Sequence, residues 1–214
     1  MRTSGRRFSS LIMAAVWLWM LVGITPAWAE PQTVFTPAEH CVAYRVTKGT
    51  LYVSKAEVIG RNCKVKTALK QTRDGKHWQV VVTIPVAEFD SGTGRRDSKV
   101  REWMDAQNHP DILFTSRPLT SAEISGALRA GKMNLEGELT VRGKAKPITF
   151  ALSIQSKDGS TLISASAPAR FSVLEIPVEN IGPGGFIANL PDDLELLGQF
   201  QWQQVEGAAG MEPR

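Results

Sequence analysis

The densest group of residues that could do chemistry is Arg95-Arg96-Asp97, directly after the break Ser91-Gly92-Thr93-Gly94. Arg96 presents a guanidinium fork suited to a pyrophosphate or quinone oxygen, which makes it a candidate for holding the head group of an amphiphile. The simpler reading is structural. Asp97 accepts from the first-turn N–H groups of a following helix as its N-cap, and Arg96 pairs with an acid to fix the loop. His109 precedes Pro110 and His77 stands beside a turn, and neither belongs to a pattern for a nucleophile or a metal. No nucleophile elbow or zinc motif is present, although a Ser–His–Asp set need not be close in sequence. The expectation is a protein with no catalytic residue, no metal and no cofactor. Arg142, Lys144 and Lys146 cluster at a hairpin tip and read as solvated.

Cys41 and Cys63 are the two cysteines of the 214-residue chain. A disulfide between them would contribute roughly 3 kcal/mol in the chain-entropy estimate. A hairpin turning at Lys48-Gly49, however, places Cys41 near Ala56. The bridge therefore needs a longer or bent strand, and the spacing leaves it open.

The first 29 residues read as a signal peptide. Arg2, Arg6 and Arg7 make a positive start, Leu11 to Ile24 an apolar core, and Ala27-Trp28-Ala29 a small-x-small cleavage site. An uncleaved anchor is the alternative, but the apolar run is short for a span. The expected mature chain begins at Glu30, with export to a periplasm and no membrane-spanning segment after cleavage. Its charges nearly balance, at 22 basic against 21 acidic residues, so the sequence pI near 9.2 gives no warrant for nucleic acid as partner.

The elements that must position these residues are mostly strands. Val42, Tyr44 and Val46 alternate with polar neighbours, Lys48-Gly49 turns the chain, and Gly60 breaks the next strand at an expected bulge. Arg73-Asp74-Gly75-Lys76 is a tight turn. Trp78, Val80, Val82, Ile84 and Val86 share one face, as do Ile112, Phe114 and Ser116. The same alternation puts Met133, Leu135, Gly137, Leu139 and Val141 on one side, then Ile148, Phe150, Leu152 and Ile154, and finally Leu194, Leu196, Gly198, Phe200 and Trp202. Gly143 to Pro147 and Asp158-Gly159 turn the chain. One helix starts at Asp97, turns Val100, Trp103 and Met104 to the core, and ends at Asn108-His109-Pro110. Glu30 to Ala38 reads as an extended lead-in, Ser121 to Gly131 as a long turn, and Asn180 to Asn189 as a loop.

About eight strands with apolar-in, polar-out alternation form an antiparallel sheet, and eight can close into a barrel. The expected fold is an all-β, eight-stranded antiparallel barrel with one short inserted helix; a two-sheet sandwich is the alternative. The domain spans 30–205, followed by a flexible tail at 206–214. A barrel of this size either fills itself or holds one small ligand. The candidate lining residues are Trp78, Val80, Val82 and Ile84; Met133, Leu135, Leu139 and Val141; and Phe150, Leu152, Leu196 and Phe200. Plain core packing is the alternative for each.

IPVAEFDSGTGRRDSKVREWMDAQNHPDILFTS and GELTVRGKAKPIT, with Pro37-Ala38-Glu39-His40 ahead of them, resemble the motifs of the YceI-like family of periplasmic lipid-binding proteins. The resemblance implies a lipocalin-like barrel whose tunnel takes a polyprenyl or quinone-like chain, in an exported protein that is not an enzyme. It leaves a homodimer open, and a redox partner by analogy only. Four features depart from the family pattern: the missing aspartate of the opening motif, Cys41 in place of serine, a longer first hairpin (Thr47 to Lys55) without a His-x-Gly turn, and Phe171-Ser172-Val173 in place of an Arg-x-Asp-Phe-Gly stretch. The functional expectation is therefore a carrier of a hydrophobic small molecule. The alternatives are a stress-protective envelope protein with a filled barrel, or a small enzyme on a lipid or quinone.

Overall fold

Alternating apolar and polar residues pair into one curled antiparallel sheet in the computed structural model, which describes residues 34–49, 55–178 and 191–209. The strands are β1 (Cys41–Gly49), β2 (Lys55–Asn62), β3 (Lys66–Gln71), β4 (His77–Pro85), β5 (Asp111–Ser116), β6 (Leu119–Thr120), β7 (Lys132–Val141), β8 (Lys144–Lys157), β9 (Ser160–Arg170) and β10 (Asp193–Gln201). Two helices, α1 (Gly94–Trp103) and α2 (Ser121–Ala130), interrupt them. The sheet order is β2-β1-β10-β9-β8-β7-β5-β4-β3, with β6 added beside β4. The fold is the expected all-β, lipocalin-like barrel. It has ten strands among the described residues instead of about eight, one of them the two-residue β6, which is too short to show a period-two pattern in the sequence. No helix among the described residues is long and apolar enough to cross a membrane.

The second helix is the main correction. Ser121–Ala130 was expected as a turn because of its small and polar residues, but Thr120 and Glu123 form a reciprocal capping box at its start. Gly131 ends it at φ 70°, and Ile124 and Leu128 are buried at helical spacing. The Thr120 backbone N–H, then Arg117, hold the Glu123 carboxyl down at about 2.

Helix α1 also differs in its limits. It begins at Gly94 after an N-cap Thr93, so Asp97 lies inside the helix and does not cap it. The buried Asp97 carboxylate instead reaches back to the preceding loop, accepting from Ser91 N at 3.0 Å and Ser91 Oγ at 2.5 Å. The helix stops at Trp103, before Asn108, because Asp105 takes a left-handed conformation at φ 52°.

The β1–β2 hairpin pairs Lys48 with Ala56 and Gly49 with Lys55, so the turn expected at Lys48-Gly49 belongs to the strands. This longer hairpin aligns Val42 with Asn62, which brings Cys41 opposite Cys63, and the two form a disulfide with Cα atoms 4.1 Å apart. Gly60 is regularly paired with Tyr44 and makes no bulge; its missing side chain leaves room for the Tyr44 ring. Gly137 likewise leaves space for the ring of Phe114. The turn between β7 and β8 is the pair Arg142-Gly143, both at positive φ, not Gly143 to Pro147. The described part of the expected extended lead-in is a turn, with Glu39 N donating to Thr36 O at 3.0 Å. The loop expected at 180–189 lies outside the described residues.

The two sheet edges, β2 and β3, are joined by short links across the seam. Arg61 of β2 exchanges two backbone bonds of 2.8 Å with Asp90. On β3, Leu69 N donates to Glu206 O at 2.7 Å and Glu206 N donates to Thr67 O at 3.0 Å. Glu206 and the buried Ala208 therefore belong to the fold, contrary to the flexible tail expected from Glu206 on. His40 adds a side-chain clasp. Its Nδ1 accepts from Gln201 N at 3.2 Å, which leaves Nε2 to donate to Thr67 Oγ1 at 3.0 Å.

Candidate functional site

The inward faces of the strands do not meet. They enclose a cavity of about 820 Å³, within the range of small-molecule sites. Val82, Phe114 and Leu139 lie side by side across β4, β5 and β7, and all three are on its wall. The Phe114 and Phe150 rings meet edge to face at 5.2 Å. Every strand of the sheet path contributes a wall residue, down to Val58 on β2 and Leu69 on β3.

The two helices extend the wall. Helix α1 leads into the start of β5, and α2 follows β5 and β6 into the start of β7, so they lie at opposite ends of β5. From α1 come Arg96, Val100, Trp103 and Met104, spaced along one helical face; from α2 come Ile124, Ala127 and Leu128. The α2 residues were not identified from the sequence, although the capping box and the Ile124, Ala127, Leu128 spacing carried the signal.

Of the expected lining residues, Val80, Val82, Ile84, Met133, Leu135, Leu139, Val141, Phe150, Leu152, Leu196 and Phe200 are all on the wall. Trp78 is not. It stands where β4 passes from pairing with β5 to pairing with β6, opposite Leu119, which is on the wall, and Trp78 itself is partly buried against the core.

Polar groups on the wall gather around α1. Thr93, Arg95, Arg96 and Lys99 border the cavity there, near the Tyr44–Phe89 ring pair, whose centroids are 5.5 Å apart. Arg96 donates from Nη1 to Ser91 O at 3.3 Å and has no acidic partner among the described residues, contrary to the ion pair expected for it. Burial, and then the charge of Asp97, push the Tyr44 phenol up to about 12, so it keeps its proton at any ordinary pH. Tyr44 Oη is buried without a hydrogen-bond partner, as are the indole N–H groups of Trp103 and Trp202, and all three side chains line the cavity.

The other charged groups serve the scaffold. Lys144 and Lys146 both pair with Glu175, and Arg142 Nη1 donates to Glu175 O at 3.0 Å, so this hairpin tip is tied down and not merely solvated. Those two lysines lower the Glu175 carboxyl to about 2. His77 pairs with Asp74 at 2.7 Å in the β3–β4 turn, and His109 lies 3.9 Å from Asp105. Glu39, Cys41 and Cys63 lie as close together as metal ligands, but the two sulfurs are bonded to each other.

Comparison with known proteins agrees with this architecture. The crystal structure of Burkholderia cenocepacia BcnA superposes with a TM-score of 0.56 at 20% identity, covering 75% of this chain and 95% of that one. A polyisoprenoid-binding domain from Saccharophagus degradans, implicated in plant cell wall breakdown, gives 0.59 at 10% identity, with 75% and 92% covered. A Campylobacter jejuni YCEI protein gives 0.51, as a mutant with a monobromobimane guest, at 19% identity with 72% and 88% covered. No curated protein is significantly similar in sequence. The model of the YceI-like domain matches residues 35–185, most of the chain, and the protein belongs to the YceI-like family.

Proposed function

We propose that this protein is an exported carrier that sequesters a long-chain isoprenoid, polyprenyl or quinone-like, or a related amphiphilic lipid inside its barrel. The observation that carries this reading is the cavity of about 820 Å³ with an apolar wall drawn from every strand of the sheet path. A barrel filled by its own side chains, acting through its surface, would leave no space of this size. An apolar wall needs nothing reactive to hold such a chain, since burial of the hydrocarbon supplies the affinity at roughly 25 cal/mol per Å². The description of the Saccharophagus degradans neighbour as a polyisoprenoid-binding domain supports the ligand class. The arginine-rich start and the Ala27-Trp28-Ala29 step support export, with Glu30 as the mature N-terminus.

Calorimetric titration of delipidated protein with geranylgeraniol tests the carrier reading. The expected result is saturable binding of about one molecule per chain, with a negative heat-capacity change. Absence of saturable binding by this and longer prenols would overturn it. The intact mass of protein recovered from a Gram-negative envelope tests export, with a chain starting at Glu30 expected and an uncleaved chain contradicting it.

A further inference from the structure

Five cations stand along edge strand β3 and its flanks: Lys64, Lys66, Lys70, Arg73 and Lys76. All five are exposed, and none of their side chains forms a hydrogen bond or ion pair with a described residue. The run 64–76 holds one acid, Asp74, which is already engaged with Thr72 and His77 in the β3–β4 turn. Strand β4 beside it carries none, and across the edge stands the exposed Glu206. Without these five cations the expected mature chain is net acidic, so the positive charge is local to this edge. The two faces of β3 differ. Thr67 and Leu69 are buried on the cavity wall, and alternation puts Lys66 and Lys70 on the outer face. On that outer face Lys66 lies opposite Thr83, and Thr83 opposite the exposed Leu113. Strand β3 also borders the seam, where isolated links replace a full ladder.

We propose that the outer face of β3 docks on a bilayer bearing anionic head groups, with the seam turned toward the membrane. The inference rests on the carrier reading and adds where cargo is exchanged. A long hydrocarbon chain is expelled from water, so a carrier must meet a bilayer to load or release it. Four of the five cations are lysines, hydrated point charges on flexible stems, which suit a diffuse anionic surface better than a bidentate pocket. Each basic side chain near such a surface strengthens attachment about fivefold. Leu113 adds an apolar contact beside the charges. The run 64–76 has no aromatic side chain on which a base could stack, which disfavours single-stranded nucleic acid.

Vesicle flotation of the delipidated protein tests this, with phosphatidylcholine vesicles against vesicles that also carry phosphatidylglycerol. Binding to the anionic vesicles is expected to be at least tenfold tighter, an advantage lost in high salt. The K66Q/K70Q/R73Q/K76Q variant should lose that advantage with its melting curve and its geranylgeraniol titration unchanged. K132Q/K157Q, which removes two exposed lysines from β7 and β8, should keep it. Equal binding to both kinds of vesicle, or binding to neither, would overturn the inference, while the geranylgeraniol titration decides the carrier reading separately. An equal loss in K132Q/K157Q would show a response to overall charge and would overturn it as well. Tighter binding to polyglutamate than to the anionic vesicles would assign the face to an acidic protein partner, and that too would overturn it.

Discussion

The ring of Tyr44 lies directly over Gly60 on the neighbouring strand, so close that a β-carbon added there would stand 2.3 Å from the ring carbons. The same tyrosine lines the cavity, so the glycine sets how far the phenol reaches toward α1. Gly60→Ala should therefore destabilise the protein by about 1–3 kcal/mol, the usual cost of overpacking, measured by urea denaturation. Adding Tyr44→Leu to Gly60→Ala should recover part of that loss. Additive effects of the two substitutions would show that the contact does not matter.

His40 makes the seam sensitive to pH. Accepting from Gln201 N requires a neutral imidazole, and burial lowers the His40 pKa from its usual 6.5. As pH falls, the unfolded chain takes up this proton before the folded one does. His40's contribution is therefore complete above pH 6.5 and lost as pH falls from there through the lowered folded value. The carboxylates held low, Glu39 and Glu123 among them, also lose stability on acidification, but only below the usual value of 4.5. Thermal melts between pH 7.5 and 5.5 should show a declining midpoint, and His40→Gln should flatten the decline. An unchanged slope in the variant would contradict this assignment.

The Cys41–Cys63 bridge joins the start of β1 to the chain just after β2, a separation of 22 residues. Replacing both with serine should cost roughly 3 kcal/mol by the loop-entropy estimate, read from denaturation under oxidising conditions. If the bridge also holds the seam, where Cys63 leads into edge strand β3, lipid release from the variant should accelerate.

Leu135 is on the cavity wall, where an added ring would point into open space. Leu135→Trp should keep stability within about 1 kcal/mol, since it avoids the usual strain of overpacking, while excluding the hydrocarbon chain. Calorimetry should then show weak or absent prenol binding to a folded protein. A loss of several kcal/mol would mean that the space is narrower than the structure shows.

Much of the barrel was legible because its strands carry strict period-two alternation, and each of Met133, Leu135, Leu139 and Val141 falls on the wall where that pattern puts it. Trp78 misled because alternation does not record a change of pairing partner at a strand's end. Helix α2 was hidden by its small residues, although Thr120, Glu123 and Gly131 held its boundaries. Asp97 was assigned to the helix start because a cap and an in-helix acid look alike in sequence; the difference lies in where Ser91 folds back. The unpaired donors of Tyr44 and Trp103 had no sequence signal. Whether a buried donor has a partner depends on side chains that only the closed barrel brings together.

The most direct test is mass spectrometry of organic extracts from the mature protein, purified from its own envelope without detergent. The account predicts one species close to stoichiometric with protein, carrying a long isoprenoid or related hydrocarbon chain. A protein that yields no lipid, and that takes up none when prenols and prenyl phosphates are supplied, would contradict the carrier claim.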